Sequence, residues 1–368
     1  MTIELPQTLA ECRRRLDEID REIVLLLNRR ADISVQVGRL KSDGGQAVYA
    51  PGREAEVLRN VEQANAGPIH SEALRRIYAE ILSSSRALQR PLRVAFLGPF
   101  GTFGHEAALR QFGAATHFVP CKTNPDVFVV TQRGDAEYGV VPVENSTEGA
   151  VNPVLDMLVE TTLEICGEIK LPIVQNLLGR GHVDQIKRIY SHPQALGQCR
   201  RWLAENLPNA TQHEVASTSA AAQLCTEPDI AAVAPETAAT LYDVPILARH
   251  IEDVSTNVTR FLVLGPHNSR PTGDDRTGLV FSVRDKVGAL WSALGIFASY
   301  EINLSKIESR PSKRRPWEYV FFVDLVGHPD DPHVAKALDA LRADCTFVKV
   351  LGSWPAFETA IEPKTVRI

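Results

Sequence analysis

From Leu9 to Leu40, seam residues recur in alternating steps of three and four: Leu9, Cys12, Leu16, Ile19, Ile23, Leu26, Arg30, Ile33, Val37 and Leu40. No proline interrupts the run. A heptad sustained over ~30 residues is satisfied by one straight helix of roughly 45–50 Å. Globular helices average only ~11–12 residues, so a single stripe this long is expected to pack along another chain. Gly44-Gly45 ends the pattern. A second helix is expected over 52–63 after the Pro51-Gly52 turn. A third follows Pro68, with Leu74, Ile77, Ile81, Ser85 and Leu88 on one face, and Pro91 closes the unit. Residues 1–91 are therefore expected to be all-α, in three helices.

At Leu92 the texture changes. Leu92–Leu97 reads as a short strand, then Gly98-Pro99-Phe100-Gly101-Thr102-Phe103-Gly104, then a helix from His105. Strand-like runs recur at 138–143, 169–178, 189–191, 230–234 and 259–264, with helical stretches between them, which is the signature of an α/β region. A Pro/Gly/Asn/Asp-rich linker covers 266–275. Beyond it the order strand 277–284, helix 288–300, strand 303–310, strand 318–326, helix 332–343, strand 346–351 makes a βαββαβ unit. At 368 residues the chain exceeds one core. A multidomain protein is expected, with units over 1–91, 92–270 and 271–368.

Composition removes several classes. Hydrophobic residues at 44% and charged residues at 23% suit an ordinary globular protein. No apolar run approaches 18 residues and no basic-then-apolar leader is visible, so no membrane association and a cytoplasmic location are expected. Six dispersed cysteines without a CxxC pair read as reduced thiols, and ten histidines without HxH or HExxH give no metal site. A net charge of −5 argues against nucleic acid as a partner. No cofactor is expected.

Arg30 stands in the seam where an apolar residue belongs, and an unpaired buried cation is costly. It reads either as a registry residue or ion pair of a helix pair, or as an anion ligand. Arg13 and Lys41 lie in the stripe beside it, and Arg53-Glu54 opens the next helix. Arg30 and Lys41 are about 16 Å apart along the axis, within reach of one small molecule; Arg13, about 25 Å from Arg30, can join only from a partner chain. Together these residues resemble the all-helical chorismate mutases, whose dimers swap their long first helices. The resemblance implies that Arg13, Arg30, Lys41, Arg53, Glu54, Ser85 and Gln89 bind chorismate. A Claisen rearrangement needs only a dicarboxylate clamped in its reactive shape. Arg30, Lys41 and Gln89 are then the catalytic group, the last two at the breaking ether oxygen. Ala50 stands where some members carry an acid.

Four polar clusters fall at strand ends, where α/β sites gather: Glu144-Asn145-Ser146, Ser191-His192-Pro193-Gln194 with Gln198, Ser217-Thr218-Ser219, and Thr259-Arg260-Phe261. Singly, each could be a cap or a turn. Jointly they resemble prephenate dehydratase across 92–266. That family implies Thr259 at the leaving hydroxyl and Glu144 at a site position, where a carboxyl whose pKa burial raises would serve as general acid. It puts Asn145, Ser191, Gln198, Arg260 and Phe261 around prephenate, with two α/β lobes enclosing a cleft. His192 reads as a turn residue before an acid. Phe100 and Gly104 depart from the family's GPxGTFS loop.

The last unit resembles the ACT domain of phenylalanine-regulated dehydratases through Gly288-Ala289-Leu290-Trp291 and Glu308-Ser309-Arg310-Pro311. It implies L-phenylalanine as effector, binding these eight residues, and a homodimer joined through the first helix and this domain. Removing the unit is expected to leave a dehydratase that no longer responds. The whole resembles bifunctional chorismate mutase/prephenate dehydratases of phenylalanine biosynthesis. A chain keeping one of the two activities, or a non-catalytic two-lobed sensor, are the alternatives.

Overall fold

The computed structural model describes residues 8–44, 47–267, 269–312 and 318–356. The heptad forms one helix, α1 (Leu9–Asp43), opened by a capping box in which Thr8 and Glu11 satisfy each other's backbone N–H. None of its residues is buried; Leu26 is 60% and Leu40 71% exposed. Helices α2 (Pro51–Gln63) and α3 (Ser71–Gln89) complete the helical unit, and α3 packs on α1. No described helix is long and apolar enough to cross a membrane.

The α/β region forms two lobes. The first holds β1 (Arg93–Leu97), α4 (Phe103–Phe112), β2 (His117–Cys121), α5 (Asn124–Gln132), β3 (Tyr138–Asn145), β4 (Gly149–Ala150), α6 (Asn152–Glu160) and β5 (Glu164–Pro172). The chain then crosses into β6 (Asn176–Gly179), β7 (Arg188–Ser191), α7 (Pro193–Gln198), α8 (Arg200–Asn206), β8 (Thr211–Glu214), α9 (Thr218–Gln223), β9 (Ile230–Ala234), α10 (Glu236–Tyr242) and β10 (Ile246–Ala248). It returns to the first lobe as β11 (Val258–Gly265), antiparallel to both β3 and β5. The single strand expected over 169–178 is thus two. Pro172 has no N–H to continue a ladder, and the next amide, Ile173, turns to the Asn257 carbonyl at 2.9 Å. The second lobe's sheet runs β10-β6-β9-β7-β8.

The C-terminal unit is the expected βαββαβ: β12 (Asp275–Ser282), α11 (Ala289–Ser299), β13 (Leu304–Pro311), β14 (Tyr319–Val326), α12 (Pro332–Asp344) and β15 (Phe347–Pro355). One face of its sheet buries Leu279, Phe281, Val323 and Leu325 under α11 and α12. The opposite face is no free surface. Val280, Val320, Phe322, Leu351 and Trp354 share one core with Val141, Val143, Leu155, Leu158 and Leu262 of the first lobe. Gly352 of β15 lies opposite Ile165 of β5, so close that a Cβ there would sit 2.3 Å from the Ile165 carbonyl oxygen. Both sheets therefore run on as one, in the order β13-β14-β12-β15-β5-β11-β3-β1-β2, with β4 on β3.

Candidate active sites

Antiparallel pairing of β3 and β11 sets Asn145 opposite Thr259 and Glu144 opposite Arg260. Successive strand residues face opposite sides, so only one of these pairs can face a given cleft. It is Asn145 and Thr259. They line a cavity of ≈ 450 Å³ between the lobes, together with Phe261, Gln198, the start of α4 and the residues leading into α6. Asn145 Oδ1 accepts the N–H groups of Thr147 at 3.0 Å and Glu148 at 3.2 Å. Its Nδ2 donates to Asn257 Oδ1 and to Thr259 Oγ1, both at 2.8 Å. With its oxygen already accepting, Thr259 keeps its own O–H to offer a ligand.

Gln198 bridges two groups with no motif signal. Gln175 Nε2 donates to its Oε1 at 3.1 Å, and its Nε2 donates to Glu148 Oε1 at 3.4 Å. Gln175, in the crossover from β5 to β6, and Glu148 both line the cavity. Only a correct break of the long strand at Pro172 would have pointed to Gln175. His192 does what its turn context implied: Nδ1 accepts the Gln194 N–H at 3.3 Å and caps α7.

Three residues expected at the cleft do not line the cavity. Ser191 is fully buried in its sheet, donating to the Val233 carbonyl at 2.6 Å. Glu144 turns to the opposite face of the sheet, where Lys306 bonds it. Arg260 does the same. Its guanidinium meets Asp324 at 2.7 Å and Glu168 at 3.2 Å, with the Trp354 ring 5.8 Å away. Among the described residues lining the cavity there is no lysine or arginine.

The loop departures have local reasons. A Cβ at Gly104 would lie 2.6 Å from the Leu97 carbonyl oxygen, so this backbone excludes the family's serine. Phe100 stacks edge-on against Phe96 and His105, with ring centres 5.4 and 5.0 Å away. Burial lowers the His105 pKa, and its Nδ1 accepts the Gly101 N–H at 3.2 Å.

In the helical unit the structure brings together Arg30, Lys41, Glu54, Ser85 and Gln89. Arg30 donates to the Ser85 hydroxyl, and Lys41 donates to the Val48 carbonyl at 2.7 Å. Gln89 packs over Gly38, where a Cβ would meet its Cγ at 2.8 Å. Its buried Oε1 has no hydrogen-bond partner among the described residues. Arg86, absent from the sequence expectation, is buried, paired with Glu54, and donates to the Phe112 carbonyl at 2.6 Å. Burial raises the Glu54 pKa, against the pull of Arg86, Lys41 and Arg30; burial lowers that of Lys41, opposed by Glu54. Two expected ligands stay outside this group. Arg13 is exposed on α1, and Arg53 is exposed and paired with Glu56 at 2.7 Å. Ala50 precedes α2 without a capping side chain.

In the C-terminal unit Gly288 takes φ 78° to turn into α11. Ala289 is buried, Leu290 packs into the core, and Trp291 is 80% exposed. On β13, Ser309 and Pro311 are exposed while Glu308 is half-buried. Arg310, also expected at the effector, is buried, bonded to Asn152 and paired with Asp156 of α6 at 2.8 Å.

Family models match the chain in three segments: chorismate mutase type II at residues 12–90, prephenate dehydratase at 94–269 and the ACT domain at 277–343. A bifunctional chorismate mutase/prephenate dehydratase of Aquifex aeolicus is 46% identical over 355 residues, 95% of this chain and 98% of that protein. Its counterpart in Neisseria gonorrhoeae is 43% identical over 360 residues, 96% and 99% of the two chains. The crystal structure of prephenate dehydratase from Arthrobacter aurescens in complex with L-Phe aligns with a TM-score of 0.66 and 36% identity, covering 72% of this chain and 90% of that one.

Proposed function

The chain belongs to the family of bifunctional chorismate mutase/prephenate dehydratases, and from that membership we propose how its own residues divide the two reactions of phenylalanine biosynthesis. Chorismate binds in the helical unit. Arg30 and Lys41 grip its anionic groups, Ser85 steadies Arg30, Glu54 orients Lys41, and Lys41 with Gln89 meets charge building on the ether oxygen as it breaks. Arg13 reaches this site from the partner of a homodimer. The dimer is supported by the uncovered apolar stripe of α1, and the C-terminal unit is its second contact. Arg53 has a place only if its bond to Glu56 opens.

Prephenate binds between the lobes. With no lysine or arginine among the described residues lining the cleft, the backbone N–H groups of Phe103 and Gly104 at the start of α4 meet its carboxylates. Thr259 donates its O–H to the ring hydroxyl. As the bond between ring and carboxylate breaks to release carbon dioxide, its electron pair aromatises the ring and expels the hydroxyl as hydroxide, which Thr259 stabilises by its hydrogen bond and which takes a proton from solvent to become water. Glu144 and Ser191 take no direct part. The observation that carries this reading is the Asn145–Thr259 bond at the cleft. L-Phenylalanine acts through the C-terminal unit, around Gly288, Trp291 and Glu308. The reaction is placed in the cytoplasm.

The test is one time course. Purified protein given chorismate should form prephenate and then phenylpyruvate, and added L-phenylalanine should slow the second step alone. Prephenate that accumulates without phenylpyruvate would remove the dehydratase reading, and unchanged chorismate the mutase reading.

A further inference from the structure

Directly behind the cleft, on the far face of the same two strands, five acidic and basic side chains meet. Glu144, Arg260 and Glu168 come from β3, β11 and β5; Lys306 and Asp324 come from β13 and β14 of the C-terminal unit, opposite each other in register. Arg260 bonds Asp324 at 2.7 Å and Glu168 at 3.2 Å, and Lys306 bonds Glu144. Trp354 completes the enclosure, donating to Glu168 at 2.9 Å. Most of the group is shielded from water: side chains of Arg260, Asp324 and Lys306 are each 14% exposed and Glu168 12%, while Glu144, at 37%, lies at the edge. Burial pushes the Asp324 pKa up and Arg260 pulls it back. Charges so placed are held largely by one another, and deleting one leaves its partner uncompensated.

The positions of these partners along the chain matter. Glu144 immediately precedes Asn145, and Arg260 immediately follows Thr259. Whatever fixes the first pair from behind fixes the second pair in front, because a rigid strand cannot shift one without the other. We propose that Lys306 and Asp324 of the C-terminal unit are positioning residues for the dehydratase reaction, holding Glu144 and Arg260 so that Asn145 and Thr259 stay in register at the cleft. The proposal rests on the cleft being the prephenate site. It gives Glu144 and Arg260 a function that needs no contact with substrate. It also gives the effector a short route: Lys306, Glu308 and Arg310 share one face of β13, two residues apart. The outer two already grip the first lobe. An amino acid captured at Glu308 would bear on both.

The experiment uses the full chain, with mutase turnover as an internal control of folding. Lys306→Met and Asp324→Asn should each lower the prephenate kcat by about 10- to 100-fold, the scale of a misplacement near 1 Å. KM for prephenate should stay within about threefold, since no substrate contact is lost. Mutase turnover should be unchanged. Lys306→Glu should be as damaging, and adding Glu144→Lys, which reverses the pair, should restore most of the kcat; a purely steric role would not be rescued by reversal. Should Asp324→Asn lower mutase turnover as well, the reversal experiment decides alone. A kcat within about twofold of wild type in Lys306→Met, or reversal without recovery, would overturn the proposal. Wild-type protein that never turns over prephenate would instead overturn the assignment of the cleft.

Discussion

Thr259 owes its direction to Asn145. An isolated threonine hydroxyl rotates freely, but here the Asn145 amide is fixed at its other end by the Thr147 and Glu148 N–H groups and points Nδ2 at the Thr259 oxygen. The remaining proton is the one the ring hydroxyl needs. Thr259→Val keeps the shape and removes that proton. Prephenate turnover should then fall by about 10²–10³, the usual loss for one donor aimed at developing charge. Mutase turnover, which is assigned to residues of the helical unit, should not move. Assaying both activities on one sample checks this, and a drop below about threefold would take Thr259 out of the reaction. Gly104 teaches the opposite lesson. It departs from the serine of the family's loop because the Leu97 carbonyl occupies the space a serine would need.

Among the elements, α1 carries the largest unmet demand. Its 35 residues bury nothing fully within the chain, and Leu16, Leu26, Ile33 and Leu40 all stand open. At about 25 cal/mol per Å², a stripe of this length is worth several kcal/mol to whatever covers it. A second α1 would also carry its Arg13 toward the Arg30 of the first. Arg30→Ala should abolish chorismate turnover and spare prephenate turnover. Mixing Arg13→Ala with Arg30→Ala protein should revive what each alone has lost, because every mixed dimer holds one intact site in two. Random reassortment makes half the dimers mixed, so about a quarter of wild-type mutase turnover is expected. A mixture that stays inactive after proven chain exchange would refute the swapped arrangement.

At the scale of the molecule, the C-terminal unit is welded to the first lobe. Beyond the shared core, Lys349 of β15 donates to the carbonyls of Leu158 and Val159 at the end of α6, at 2.9 and 3.1 Å. Arg310 holds the start of the same helix. A chain stopped near Asp275 would lose Val280, Phe322 and Trp354 from a core that also contains Val141 and Leu262. Each large apolar side chain is worth about 1.5–3 kcal/mol against a typical total of about 5–15. The truncation should therefore bind hydrophobic dyes and lose prephenate turnover, rather than survive as an unregulated enzyme. A soluble truncation with near-normal dehydratase activity would show that the two cores are separable after all.

Residue order alone settled the kind of the longer elements and which of their residues share a face, because both follow from backbone periods of 3.6 and 2 that need no distant partner; β2, β8 and β10 escaped it, and β5 and β6 read as one strand. The heptad from Leu9, the βαββαβ pattern after the linker, and the adjacency of Thr259 to Arg260 were all legible there. Which face of β11 looks into the cleft was not. Alternation leaves two mirror choices, and only the packing of Val280, Phe322 and Trp354 against the first lobe assigns Arg260 to the rear and Thr259 to the front. Arg86 was hidden for the same reason: on the helix it is one more charged residue, and it becomes a buried partner of Glu54 only when Phe112 of the next unit closes over it. Local periodicity determines what a strand or helix can present; long-range burial decides to whom it is presented.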